Sequence, residues 1–491
     1  MNGSQPIFRM VVKFQDHLDL PYQAVGEISN YFSQNDLLPF KNLLKIFPGL
    51  MIGKLFSSLE PECIVKLADR AEGMDRDYQA PDFLSYYTID CPYKIYSGEI
   101  LTRLLRHDKV ELAYVEAGPA IPPSSAIIEN SSWIHQGYLK PAPTGIDAVY
   151  AWNMEGGDGK GLRFIDIEQG WTTDPDNFTV GTFPSTGVNF PVFKEHGEAV
   201  LGVILTQHNS LGGRGIAPEA KGYIISQWRP DGSLNTADAI LAAISQLEFG
   251  DIILMEAQIT DSPGSESLWP IEIQYAIFDV IRLASALGIT VIEAGGNGTN
   301  GFGAGNDLDN YIDSRGRKTL NPSNPDFMDS GAILVAAASD KFPHTPIRHS
   351  NFGNRFDCYA WGERVSTAGS HLGPADIAIN SYRQKIGGTS SAAAIIAGAA
   401  ILVQSITETN HHFRLSPKQM RQILSSDILG TPSANGRSID RIGIMPDLKK
   451  IIEHINLAIP TLKYPDEIVH MGNFKTSIFS EAGLARRGTV F

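Results

Sequence analysis

Cysteine is scarce. The 491 residues contain three, Cys63, Cys91 and Cys358, far apart and without a CxxC spacing. A disulfide framework and a thiolate zinc site are therefore excluded, and stability must come from a large core, which mildly favours a reducing compartment. Basic charge is also short: 40 Lys and Arg against 54 Asp and Glu give a formal net charge of -14, which disfavours a nucleic-acid or anionic-membrane partner. No stretch reads as the run of about 18 apolar residues that a membrane span needs, so none is expected. The start, MNGSQPIFRMVVKF, lacks a basic segment followed by a long apolar one. The expectation is a cytoplasmic location, slightly favoured, with secreted or periplasmic locations open. No internal repeat is found. The glycines of GGDGKG (156–161) lack the full P-loop pattern and precede their strand, so they read as a turn.

What is present is a globular composition, 43% hydrophobic and 19% charged, in a chain long enough for two or three domains. Residues 1–118 read as a small α+β module: strand IFRMVVKF (7–14), helices at 37–47 and around 51–59, then a helix and strand in EILTRLLRHDKVELAYVEAGP (99–119). A Pro- and Ser-rich linker spans 119–134, followed by a main domain over 135–460 and a C-terminal extension over 461–491. In the main domain, apolar strands (LRFIDI, KGYIISQW, DIILMEA, ITVIEAGGN, GAILVAAAS) alternate with helices (196–207, 235–248, 269–288, and the run after GTSS). The fold class is α/β with a mostly parallel sheet covered on both faces.

Three residues fall at element ends, where a parallel sheet gathers its ligands. Asp166 ends the strand LRFID, His196 opens the helix HGEAVLG, and Ser390 opens GTSSAAAIIAG. A serine hydroxyl is a weak nucleophile. It needs an imidazole to take its proton and a buried carboxylate to orient that imidazole. The order Asp, His, Ser is a known one, whereas α/β-hydrolases run Ser, Asp, His and carry a GxSxG elbow that is absent around Ser390. Asn297, in AGGNG (294–298), offers a side-chain N–H that could hold an oxyanion together with the Ser390 backbone N–H. Alternatively, Ser390 or Ser391 caps a buried helix and Asn297 is a turn residue among glycines.

These motifs, taken in order, resemble the subtilisin-like serine peptidases. FIDIEQG resembles the family's aspartate motif (IDSG or similar), HGEAVLG its HGTHVAG, GRGIAPEA (213–220) its Gly-Ala-Pro stretch, AGGN its AAGN and GTSSAAAIIAG its GTSMASPHVAG. The resemblance covers about 135–453. It implies a three-layer subtilisin-like domain and a serine endopeptidase acting through an acyl-enzyme, with Asp166, His196, Ser390 and Asn297 as its machinery. A protein or peptide would be the substrate. No cofactor is required for the chemistry, although a structural calcium is implied for many members, with DPDN (174–177) and GNDLDN (305–310) offering hard oxygen ligands. The module's first strand and its closing helix and strand resemble the ends of a family prodomain. The linker around 117–130 would then be a processing point and the module an intramolecular inhibitor; a permanent accessory domain is the rival reading.

The departures matter. Glu198 and Ala199 stand where threonine and histidine are usual, and the proline after the serine is missing. LMEAQ (254–258) replaces a strand ending in SLG, placing Glu256 and Gln258 on the substrate edge, where Gln258 would narrow the cleft or redirect its hydrogen bonds. Glu256, Glu293 and Glu198 could make an acidic cleft favouring basic side chains. The alternative to an enzyme is an inactive relative that binds peptides in the same cleft.

Overall fold

The computed structural model describes residues 8–18, 20–22, 43, 45–47, 49–91, 97–116, 136–172, 178–207, 213–262, 264–301, 303–367 and 384–458. The 119–134 linker, the DPDN loop and the 461–491 extension lie outside the described residues, as does most of the helix expected at 37–47.

The amino-terminal module holds strands β1 (Phe8–Phe14), β2 (Met51–Lys54), β3 (Tyr86–Cys91) and β4 (Val110–Val115), with helices α1 (Pro61–Met74) and α2 (Ser97–Leu105). The strands form an antiparallel sheet in the order β2-β3-β1-β4. The helix expected around 51–59 is instead the strand β2 followed by a loop. Ile52 is buried against the module core while Met51 is exposed, the two-residue alternation of a strand rather than a helical stripe.

The main domain carries β5 (Arg163–Glu168), α3 (Lys194–Leu205), β6 (Lys221–Ser226), α4 (Thr236–Ile244), β7 (Ile252–Met255), β8 (Gln258–Thr260), β9 (Ser267–Pro270), α5 (Tyr275–Ala286), β10 (Thr290–Ala294) and β11 (Gly298–Thr299). Then come β12 (Ile333–Ala338), β13 (Cys358–Trp361), β14 (Val365–Thr367), β15 (Gln384–Ile386), α6 (Gly388–His411), α7 (Pro417–Leu424), β16 (Gly430–Pro432), β17 (Ile444–Pro446) and α8 (Leu448–Ala458). Eight strands form one sheet in the order β16-β17-β13-β12-β10-β7-β5-β6, all pairs parallel except β16 with β17. The strands are buried on both faces, which is why they read as unbroken apolar runs. The helix expected over 269–288 starts only at Tyr275, because Trp269-Pro270 closes strand β9 and a short 3-10 turn intervenes.

Helix α6 corrects one expectation. Its 24 residues are long and apolar enough to cross a membrane by length and composition. The whole apolar window is buried inside the protein, however, and Ala392 to Val403 belong to the core beneath the sheet. Burial on every side, not lipid, accounts for its composition.

The other face of the sheet is covered by α4 and α5, and these also receive the amino-terminal module. Tyr86, Tyr87 and Phe56 share one hydrophobic core with Ile240, Ile277 and Val280. At the seam the Asp238 carboxylate accepts from the N–H groups of Ser57 and Ser58 at 2.7 and 2.9 Å, Asn235 donates to the Leu55 carbonyl at 2.6 Å, and the Tyr86 hydroxyl donates to Asp279 at 2.6 Å.

Candidate active site

Strand β5 alternates its side chains. Ile165 and Ile167 enter the core shared with the module, while Phe164, Asp166 and Glu168 point to the α6 face. The two carboxyls are therefore neighbours on one face, and both are fully buried. His196, near the start of α3, makes its Nδ1 contact with Glu168 Oε2, and Glu168 Oε1 accepts the Gln169 N–H at 2.7 Å. Asp166, expected to hold the imidazole, does not touch it. Its Oδ2 accepts from the Trp171 indole at 2.6 Å, and among the described residues its Oδ1 has no donor. The correction has a geometric cause. Asp166 lies two residues further back in β5, and the chain turns toward α3 only after Glu168. The close approach is made by Gly197, where a Cβ would fall 2.3 Å from the Gly170 carbonyl oxygen. This backbone contact brings Glu168-Gln169-Gly170 against His196-Gly197. The sequence held the signal: in IDSG the acid stands two residues before the glycine, and the residue two before Gly170 is Glu168.

On the facing side, α6 begins at Gly388, whose φ of +79° is open to glycine and whose missing Cβ would sit 2.7 Å from Asn297 Oδ1. The Thr389 N–H donates to Asn297 Oδ1 at 2.9 Å and the Thr389 hydroxyl donates to the same oxygen at 3.2 Å. Ser391 turns into the core, its hydroxyl bonded to the Trp361 and Gly388 carbonyls. Ser390 instead lines a small pocket with Glu256, Ala257, Gln258, Ala294, Asn297 and Thr389. The pocket thus separates the two serines and brings Ser390 and Asn297 together.

Glu256, missed by sequence reasoning as a neighbour of the nucleophile candidate, follows β7 and is buried in this pocket. Its hydroxyl neighbour Ser390 favours its charged form, yet among the described residues neither Glu256 oxygen has a well-aligned donor. Burial, then the nearby Asp166 and Glu168, push the Glu256 carboxyl well above its ordinary range. Burial and Glu168 do the same to Asp166, against the indole hydrogen bond. His196 and Ser390 thus stand on two sides of one carboxyl cluster, and among the described residues no hydrogen bond joins them directly.

The other acidic residues lie elsewhere. Glu293 accepts from the Glu272 N–H at 3.1 Å, and Glu198 is buried within α3. In the GNDLDN loop, Asp307 and Asp309 both pair with Arg441, at 2.9 and 2.6 Å. Among the described residues no group of three His, Cys, Asp or Glu side chains is arranged for a metal.

No curated protein matches this chain. Among solved structures the fold is similar to fervidolysin from Fervidobacterium pennivorans, a keratinolytic enzyme related to subtilisin, at 14% identity and TM-score 0.50 over 92% of this chain and 62% of that one. Two further similar structures are the prenylagaramide maturation protease PagA (20% identity, TM-score 0.43, 63% of this chain and 98% of that one) and the MycP3 protease from the type VII (ESX-3) secretion system (20% identity, TM-score 0.46, 68% and 95%). The family model of the subtilase family matches residues 165–442, more than half of the chain, from within β5 through β13 of the main sheet. The chain belongs to the subtilase family and is a subtilisin-like serine endopeptidase, with peptides or proteins as its substrates.

Proposed function

We propose that Ser390 is the nucleophile, His196 its general base and acid, Glu168 the orienting carboxylate, and Asn297 with the Ser390 N–H the oxyanion donors. The observation that carries this reading is the Glu168–His196 contact beside the pocket holding Ser390 and Asn297. A carboxylate on Nδ1 keeps the proton there and leaves the Nε2 lone pair free. His196 then takes the Ser390 proton as Oγ attacks the scissile carbonyl carbon. The negative oxygen that forms is met by the Asn297 amide and the N–H groups at the start of α6. His196 next protonates the leaving amine, and water, deprotonated by the same imidazole, releases the acyl group. Burial, with Asp166 and Glu168 beside it, pushes the Glu256 carboxyl well above its ordinary range, which disfavours a second negative charge beside the nucleophile.

The amino-terminal module is proposed as an intramolecular inhibitor delivered by the residues that follow β4. Its docking on α4 and α5 supports a close association. Comparing the N-termini of the intact chain and Ser390→Ala after incubation tests self-processing. Fluorophosphonate labelling tests the core assignment: wild type labels, and Ser390→Ala does not. No labelling, even after proteolytic removal of the module, would favour a peptide-binding relative without catalysis.

A further inference from the structure

Gln258, the first residue of β8, stands on the substrate edge two residues beyond Glu256. Its Oε1 accepts two hydrogen bonds from one residue, the backbone N–H and the side-chain Nδ2 of Asn297, each at 3.0 Å. Neither amide orientation is arbitrary. The Gln258 oxygen is identified by the Asn297 backbone donor, and the Asn297 oxygen by the Thr389 backbone donor on its far side. Asn297 Oδ1 is saturated by Thr389, and one Nδ2 proton is taken by Gln258. The other Nδ2 proton remains, and among the described residues no other acceptor meets that nitrogen.

The geometry points to Gln258 as a positioning residue for the oxyanion donor: its Oε1 and the Thr389 N–H hold the Asn297 amide from opposite ends, so that one N–H is fixed beside Ser390. This rests on the catalytic reading given above. A preorganised donor needs no rearrangement as charge develops, so its benefit falls on the transition state rather than on substrate binding. A side chain at 258 that fills the same space without an acceptor would leave Nδ2 free to turn, and the site would lose rate.

Gln258→Met preserves length and volume while removing the acceptor; Gln258→Ala removes both. Steady-state peptide hydrolysis by the full chain is expected to show kcat lowered about tenfold in both variants, with KM within about twofold. In an Asn297→Ala background, Gln258→Met should change kcat little further, because the group it positions is gone. A Met variant with full kcat, where only Ala is impaired, would overturn the proposal and leave Gln258 as filler. A rise in kcat for either variant would overturn it too, making Gln258 an occupant that substrate must displace. A wild-type chain with no Ser390-dependent turnover would overturn this inference and the catalytic reading together. Active wild type with unaffected variants overturns this inference alone.

Discussion

Two buried acidic clusters sit on the same sheet and are handled in opposite ways. Where the chain enters β12 and β13, Glu272 and Asp357 surround Arg355. The guanidinium meets both Glu272 oxygens at 2.9 Å and Asp357 at 2.9 Å, and Arg421 reaches Asp357 at 2.7 Å. Burial disfavours the Arg355 charge, but Glu272 and Asp357 hold it firmly protonated. Where the chain leaves β5 and β7, Asp166, Glu168 and Glu256 share one imidazole and one indole. The first cluster is held by two guanidinium groups that fix loops, although Glu293 beside it keeps one oxygen without a donor among the described residues. The second, Asp166 and Glu256 above all, has no arginine or lysine partner among the described residues and leaves three carboxyl oxygens without donors there.

The largest effect expected from breaking this contrast is in the second cluster. Glu168→Gln should lower kcat about 10⁴-fold, because an amide no longer enforces the imidazole tautomer, while Asp166→Asn should stay within about tenfold. Peptide turnover by the two variants, each checked for native circular dichroism, separates the two acids; the reverse ranking would restore Asp166 as the orienting group. In the first cluster, Arg355→Met should leave turnover chemistry untouched but cost about 3–5 kcal/mol of stability, read from the urea midpoint, since Glu272 and Asp357 lose their buried partner.

A smaller effect concerns pH. The folded-state pKa values of Asp166 and Glu256 are raised, so the folded chain holds protons that the unfolded chain releases. Their contribution is fully present below the unfolded carboxyl pKa values and is lost as pH rises toward the folded ones, by up to about 1.4 kcal/mol per pH unit for each group. Glu256→Gln should therefore raise the urea midpoint more at pH 8 than at pH 4; an equal change at both would show that Glu256 is already ionised. The smallest effect is expected for Trp171→Phe, which removes the indole donor to Asp166, the only one among the described residues, and should cost about 1–2 kcal/mol, with kcat nearly unchanged.

Much of the architecture was legible because the parallel strands are apolar throughout and the helices between them are periodic. The motif positions of His196, Ser390 and Asn297 stood out for another reason: Gly197 follows His196, Gly388 lies two residues before Ser390, and Gly296 and Gly298 flank Asn297, each at a close approach. Asp166 was read as the orienting acid from its place at the end of LRFID; the contact of His196 with Glu168 instead depends on the Gly170–Gly197 approach, which only the folded backbone shows. Gln258 was legible as an anomaly but not as a ligand of Asn297, since β8 and the loop after β10 are brought together only by the small sheet β11-β9-β8. The Arg355 cluster gave no local pattern at all, Glu272 alone lying 83 positions from Arg355.

The single apolar interior shared by the amino-terminal module with α4 and α5 has a practical corollary. A gene shortened to begin at residue 136 would yield a chain whose α4–α5 surface, Ile240 and Ile277 included, is stripped of its cover and presented to solvent. Such a product is expected to be sticky and poorly recovered from bacterial expression, whereas supplying residues 1–135 as a separate polypeptide during refolding should restore soluble yield.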